Sequence, residues 1–460
     1  MKRQNAQSSL WSWYDMCDAL GLPQNDGPNV GGISFDSRQI QSGDLFVALP
    51  GDPGPRFNVA LRSDRDGHDF VEDAIRHGAV GALIHKPVDS NIPTLQVEDT
   101  IDGLWNLARY RRSQLSCPVV AVTGSSGKTT LKSFLSQALS AFATEGSFNN
   151  YIGLPLSIAV SPLDAGAVVY EIGTNHEGEI APLSELAQPN VAVVLNVLPV
   201  HIGYFSNIDA LTIEKFSICL GLTEDGTLVC SKKLSTSEYA PSNVKTVTFG
   251  FEETATLQVK HVLDSCYSFS VNENQVEASV PGGGKHRAET LAATAAVLEV
   301  LNLPVSNLQQ VSGSLPKGRG DTHVVNGVRI IDESYNANPT SMQAALQGLL
   351  DLPLTGNRVA VLGQMNELGD GGVEYHTALA SLVGRADVVF CVGELMLHLY
   401  KKLGSVREKY FFESVDQNLL GELTELVTPG DAVLIKGSHS YFWEANFVDR
   451  FIAEIRNKLA

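Results

Sequence analysis

Residues 117–130 read CPVVAVTGSSGKTT. An apolar stretch, Val119 to Val122, runs into a glycine-containing turn, and the turn runs into a lysine and two threonines. A buried strand, a tight turn and a helix start in that order make a cradle for phosphate. Gly124 and Gly127 let the backbone turn and approach an anion closely. The amides of Ser125, Ser126 and the helix start face that anion. Lys128 adds a point charge near the β/γ-phosphates, and the hydroxyl of Thr129 or Thr130 can ligate magnesium. The turn, G-S-S-G-K, is shorter than the common G-x-x-x-x-G-K-[ST] spacing. The expected fold class is α/β, with a hydrolysable nucleotide at the end of the Val119–Val122 strand.

A chain of 460 residues is too long for one core, so several domains are expected. Residues 1–100 read as a small α/β unit, with strands at 33–38, 44–49 and 80–84 and a helix at 70–77; the Gly/Pro/Asp/Arg-rich stretch from 50 to 69 reads as a loop. Residues 101–315 alternate strands at 119–122, 166–171, 191–197 and 226–230 with helices from 129 and around 180–187 and 209–220. That alternation implies a mostly parallel sheet covered on both faces. Residues 245–280 alternate apolar with polar and suggest antiparallel strands, before a helix at 288–301. Residues 316–460 repeat the α/β pattern in a Rossmann-like order, with strands at 328–331, 358–362, 387–392 and 431–435. Ligands in such sheets sit beyond the strands' carboxyl ends.

The formal charge is −18, spread along the chain, which argues against a nucleic-acid face. Phosphate binding then needs local cations and metal. The six cysteines show no C-x-x-C spacing and fit small core residues in a reducing compartment. The N-terminal stretch lacks a secretory h-region, and no apolar run reaches a membrane span. A cytoplasmic protein without membrane insertion is expected.

Several residues add chemistry at strand ends. Glu171 closes the strand after the phosphate turn and is placed to hold magnesium. His201 follows the 191–197 strand at the same edge. Lys215, in TIEKFS, reads from periodicity as a solvated helix lysine. Residues 332–339, DESYNANP, pack an acid, a phenol and two amides ahead of a helix that Thr340 or Ser341 can cap. Lys436-Gly437-Ser438 ends another strand and is a candidate anion contact.

Taken together, these residues resemble the Mur ligases of peptidoglycan synthesis. The resemblance covers nearly the whole chain. It includes Asp36-Ser37-Arg38, DGHDF (66–70), TGSSGKTT (123–130), Asn149-Asn150, Glu171-Ile172-Gly173, His201, DESYNANPTSM (332–342), LGQMNELG (362–369), His376 and KGS (436–438). The D-x-S-Y-N-A-N-P string is its most specific part and resembles the branch that adds a dipeptide. The resemblance implies a monomeric ligase joining D-Ala-D-Ala to UDP-MurNAc-tripeptide with ATP and Mg2+. It implies that residues 1–100 hold the UDP end of the substrate, with Asp36, Ser37 and Arg38 nearby. Residues 101–315 would bind ATP through 124–130, and residues 316–460 would close over the nucleotide and present the amine. By the same resemblance Thr129, Glu171, His201 and a carbamylated Lys215 hold metal. Arg319 and Asn336 contact the nucleotide, and Asn149, Asn150, Tyr335 and Asn338 contact substrate.

The chain departs from the family pattern at Arg287 and Thr290, which replace two amides of G-x-H-N-x-x-N, at Gln364, and at His439. These changes bear on the adenine side and on substrate fit. A ligase of the same type with another amine, and a nucleotide-binding regulator without turnover, remain open alternatives from sequence.

Overall fold

The computed structural model describes residues 9–52, 64–144, 146–200, 202–272, 274–313, 315–404 and 406–458. Three sheets carry the architecture. The first is wholly parallel, in the order β1 (Gly32–Ser34), β2 (Asp44–Val47), β3 (Gly81–Ile84), β4 (Thr94–Gln96). The strand expected at 33–38 stops at Ser34, because Asp36 caps a short 3-10 turn over Ser37–Gln39. Residues 53–63 of the expected 50–69 loop lie outside the described residues, and Gly67–Phe70 forms another 3-10 turn.

The second sheet has eight strands: β5 (Val119–Thr123), β6 (Val168–Glu171), β7 (Val191–Val194), β8 (Thr227–Ser231), β9 (Lys245–Gly250), β10 (Leu257–Leu263), β11 (Cys266–Val271) and β12 (Asn274–Ser279). Their spatial order is β12-β11-β10-β9-β8-β7-β5-β6. The 245–280 stretch is only partly antiparallel. β9 pairs parallel with both β8 and β10, and the antiparallel meander starts at the β10–β11 pair. Alternating patterning reports a half-exposed strand and carries no strand direction.

Two apolar layers enclose this sheet. On one side the Lys128–Ala138 and Lys285–Val300 helices bury Leu131, Phe134 and Leu291 against Val120, Val193 and Phe269. On the other the Ile180–Ala187 helix packs Ile180 and Leu183 near Ala121 and Tyr170. The near-continuous apolar runs of β5 and β7 follow from burial on both faces. The chain leaves β5 for β6 on one side and returns to β7 on the other. The sheet therefore reverses at β5, where a crevice opens at the carboxyl ends of the strands.

The third sheet runs β13 (Asp321–Val325), β14 (Val328–Glu333), β18 (Ala432–Lys436), β15 (Arg358–Gly363), β16 (Val388–Val392), β17 (Glu408–Phe412). Only the β13–β14 pair is antiparallel. Register sets Glu333 opposite Lys436 at the carboxyl ends of β14 and β18.

The units interlock. The Thr100–Gln114 helix shares a core between the first sheet and the Gly153–Ala159 helix through Leu104, Leu107, Leu156 and Ala159. Phe35, just past β1, meets Phe148 edge to face at 6.3 Å between ring centroids. Between the second and third units, Gly203 N–H lies 3.4 Å from the Glu367 carbonyl. All six cysteines are free thiols. Among the described residues no helix is long and apolar enough to cross a membrane.

The linker into the third unit is tied by Asp332, which is fully buried. Its carboxylate accepts from the Gly318 amide at 3.2 Å and from the Ser334 amide and hydroxyl at 3.0 and 2.5 Å. Burial pushes its pKa up, against the pull of the Ser334 and Gly318 hydrogen bonds. Asp332→Ala leaves those buried donors unsatisfied and is expected to cost about 2 kcal/mol or more, measured by denaturant titration.

Candidate active site

The carboxyl ends of the second and third sheets face each other across a cavity of about 390 Å³. From the second unit it is lined by Ser125–Lys128, Ser147, Asn149, Glu171 and Asn196. From the third it is lined by Arg319, Glu333, Tyr335, Asn336, Asn338 and Lys436.

The phosphate turn is built as its spacing requires. Gly127 takes φ 80° and forms the N-cap of the Lys128–Ala138 helix, and a Cβ there would come within 2.9 Å of Leu195 Cδ2. Only glycine fits this left-handed position at so close an approach. The Ser125 amide donates to the Asn196 carbonyl at 3.0 Å, and the Ser126 amide to Asn196 Oδ1 at 2.9 Å. The Ser125 hydroxyl donates to Leu198 O at 3.0 Å. Asn196 therefore braces the turn from the segment after β7, and it takes up the Ser125 and Ser126 amides that were expected to face the anion. It was not singled out from sequence; its position just past an apolar strand is the available signal.

Lys128 Nζ donates to Gly124 O at 2.7 Å. Enclosure pushes its pKa down; Glu171 opposes that shift and Arg319 reinforces it. Thr129 donates to Glu171 Oε2 at 2.8 Å, and Asn149 Nδ2 donates to Glu171 Oε1 at 2.8 Å. Lys132, one turn along the same helix, lies 3.7 Å from Glu171 Oε2 and donates to Gly146 O at 2.5 Å. Its four-residue offset from Lys128 puts both ammoniums on one helix face, a signal the sequence reading did not use. Thr130 is buried and also lines the cavity.

Ser147 is the meeting point of the two units. Its Oγ lies 3.2 Å from Thr129 Oγ1, accepts from Arg319 Nη2 at 3.0 Å, and accepts from Tyr335 Oη at 3.2 Å. The Arg319 guanidinium covers the Tyr335 ring at 3.9 Å. Sequence carried no signal for Ser147, since its partners come from three distant segments.

Other expected residues are placed differently. Lys215 is not solvated: it is 2% exposed, and its ammonium group makes no hydrogen bond or ion pair among the described residues. Burial, then the nearby charge of Lys128, drives its pKa well below that of free lysine, against Glu214 and Glu179. His201 lies outside the described residues. Asn150 Oδ1 accepts from the Ile152 and Gly153 amides at 3.1 and 2.8 Å, so this amide closes the turn that leads into the Gly153–Ala159 helix. Asn338, rather than Thr340 or Ser341, caps the following helix; it accepts from Ser341 N at 2.9 Å, and Ser341 Oγ accepts from Asn338 N at 3.0 Å. Pro339 at the first helical position dictates that choice. Asn336 Oδ1 accepts from the Ala337 amide. His439 packs edge-on against Tyr335 at 5.2 Å between ring centroids.

The Asp36-Ser37-Arg38 group sits beyond β1, away from the lining of this cavity. Arg38 pairs with Asp36 through two 2.8 Å contacts, and buried Ser37 donates to Asp73 at 2.7 Å. Among the described residues, one other cluster, Asp66, His68 and His85, has metal-like spacing. There His68 Nδ1 already meets Asp66 at 2.6 Å, His68 Nε2 accepts from the His85 amide at 3.1 Å, and Lys86 holds the second Asp66 oxygen at 2.7 Å.

Two segments of the chain match family models. Residues 122–298 match the Mur ligase middle domain, and residues 318–439 match the Mur ligase glutamate ligase domain. The UDP-N-acetylmuramoyl-tripeptide--D-alanyl-D-alanine ligase of Bacillus subtilis is 31% identical, over 91% of this chain and 93% of its own length. This chain belongs to the Mur ligase family. The ligase of the same name from Rickettsia prowazekii is 28% identical across 93% of this Mur ligase and 97% of its own length. A crystal structure of MurF from Acinetobacter baumannii superposes with a TM-score of 0.80 at 29% identity, covering 97% of this chain and 99% of that one. MurF from Thermotoga maritima in complex with ADP gives 0.76 at 28%, covering 93% and 98%.

In this Mur ligase Glu171 is nearly fully buried, and Lys132 is the one basic side chain within salt-bridge distance among the described residues. Lys132→Met is expected to destabilise the protein by about 3 kcal/mol through the uncompensated carboxylate. Adding Glu171→Gln should restore most of that loss in denaturant titrations. Equal loss in single and double variants would remove Lys132 from this role.

Proposed function

We propose that this Mur ligase joins D-alanyl-D-alanine to UDP-N-acetylmuramoyl-tripeptide in an ATP-dependent reaction of peptidoglycan precursor synthesis. The observation that carries the reading is a single cavity in which the Ser125–Lys128 turn faces Arg319, Tyr335 and Asn338. In this reading residues 1–100 hold the UDP end, residues 101–315 hold ATP, and residues 316–460 bring the dipeptide. The Phe35–Phe148 contact connects the first unit to the segment carrying Ser147 and Asn149.

The terminal carboxylate of the tripeptide attacks the γ-phosphorus of ATP. A carboxyl O–P bond forms and the bond to the bridging oxygen breaks, giving an acyl phosphate and ADP. The amine of D-Ala-D-Ala then attacks the acyl carbon. A C–N bond forms, inorganic phosphate leaves, and the amine loses a proton. Positioning and charge neutralisation supply most of such catalysis. Lys128 exchanges its Gly124 carbonyl for a phosphate oxygen, and Arg319 approaches the same group from the third unit. Closure of the third unit over the nucleotide would keep water from the acyl phosphate.

The hard oxygen donors of Thr129 and Glu171 suit magnesium, which favours carboxylate and phosphate oxygens. His201 and a carbamate on Lys215 complete the proposed ligand set. When bound, the ion offsets phosphate charge. Burial disfavours the charged form of Lys215; a neutral amine there can add to carbon dioxide, losing one proton and becoming an anion. The carbamate supplies the negative charge that the unmodified amine lacks.

The deciding experiment mixes protein, ATP, magnesium, UDP-MurNAc-tripeptide and D-Ala-D-Ala, with mass analysis for the pentapeptide product. Product formed with a single amino acid and none with the dipeptide would replace the amine assigned above; ATP binding without any product would indicate a regulator. Lys128→Ala should lower kcat/KM about 100-fold, or about 3 kcal/mol of transition-state stabilisation. Labelled bicarbonate should give a carbamate carbon resonance in the native protein that Lys215→Arg removes.

A further inference from the structure

Arg287 stands where the family pattern has an amide on the adenine side, and its surroundings give it another task. One guanidinium joins three segments. Nη1 donates to Gly282 O at 2.9 Å and lies 3.4 Å from Gly283 O, in the turn before the Lys285–Val300 helix. Nη2 donates to Glu333 Oε1 at 2.5 Å, at the end of β14. The same nitrogen lies 3.4 Å from Arg319 O, in the linker between the second and third units. The linker lies so close that a Cβ on Gly320, at φ 100°, would overlap the guanidinium.

All four Nη hydrogens thus have protein oxygens to meet, which leaves only Nε for a ligand. The pair is well covered, with side-chain exposures of 12% for Arg287 and 14% for Glu333. Glu333's second oxygen lies 3.4 Å from Lys436 Nζ, which also donates to Asn336 O at 3.0 Å. Glu333 stays ionised: burial opposes its charge, and Lys436 and Arg287 outweigh burial.

The consequence falls on the neighbouring arginine. Arg319 is anchored through its backbone carbonyl to Arg287, while its own side chain stacks on Tyr335 and reaches Ser147 beside the phosphate turn. We propose that Arg287 is a positioning residue for phosphoryl transfer: it pins the 318–320 linker and the end of β14 to the second unit, and so aims Arg319 at the phosphate site, rather than reading the nucleotide base. This rests on the ligase reading above.

The test is steady-state kinetics of Arg287→Gln, Arg287→Lys, Glu333→Gln, Arg319→Ala and the Arg287→Gln/Arg319→Ala double variant, with X-ray scattering of each in the absence of nucleotide. Arg287→Gln should lower kcat about tenfold or more while the KM for ATP moves less than about threefold, because a lost interaction of the transition state appears in kcat. Arg287→Lys keeps the charge without the fork and should recover part of the rate. The double variant should be no slower than Arg319→Ala alone, since residues acting through one another are not additive. A raised KM for ATP at unchanged kcat, or losses that multiply in the double variant, would overturn the proposal. Scattering separates this from failure of the ligase reading. Native protein that makes no pentapeptide product removes that reading; Arg287→Gln should still expand the ligand-free protein, and an unchanged scattering profile would refute the pinning role.

Discussion

Two cations in the cleft meet no carboxylate at salt-bridge distance among the described residues. Lys128 holds only a backbone carbonyl, and Arg319 holds a serine hydroxyl and an aromatic face. In a protein of formal charge −18 these are the groups that make an anion welcome at this one place. Uncompensated cations in a partly enclosed site are costly, and the fold carries that cost where two sheets present their carboxyl ends to each other. The rest of the site keeps these two charges aimed at a common point.

The surrounding charges are organised in balanced sets. Glu171 is held by Thr129, Asn149 and Lys132, all from the second unit. Glu333 is held by Lys436 through strand register and by Arg287 across the unit boundary. Each carboxylate is thus fixed before any ligand arrives, which is how preorganised electrostatics lower a barrier without reorganisation during reaction. The difference lies in rigidity: the first set belongs to one sheet, and the second depends on two units staying together.

Much of this was legible in the residues. The 119–130 stretch specifies strand, turn and helix because each step has its own local cause: apolar continuity, a left-handed glycine, and a helix start. The family resemblance placed Tyr335, Asn336 and Asn338 at the cleft between units, and all three line the cavity. Local reasoning failed where burial decided. Lys215 sits on a helix whose spacing looks exposed, and only packing by neighbouring segments encloses it. Asn150 and Asn338 offer amides suited to a ligand, yet backbone donors three residues or fewer away claim their oxygens first. The direction of β9 was equally invisible, since parallel and antiparallel edges share one alternation.

The amino-acid order by itself determined an α/β chain with a phosphate-binding turn, because those features depend on neighbours within a few residues. Tertiary structure alone decided that Ser147 joins Thr129, Arg319 and Tyr335, and that Arg287 serves the linker. Such contacts unite side chains up to 188 positions apart. Their geometry comes from how two sheets dock, and no local spacing encodes that.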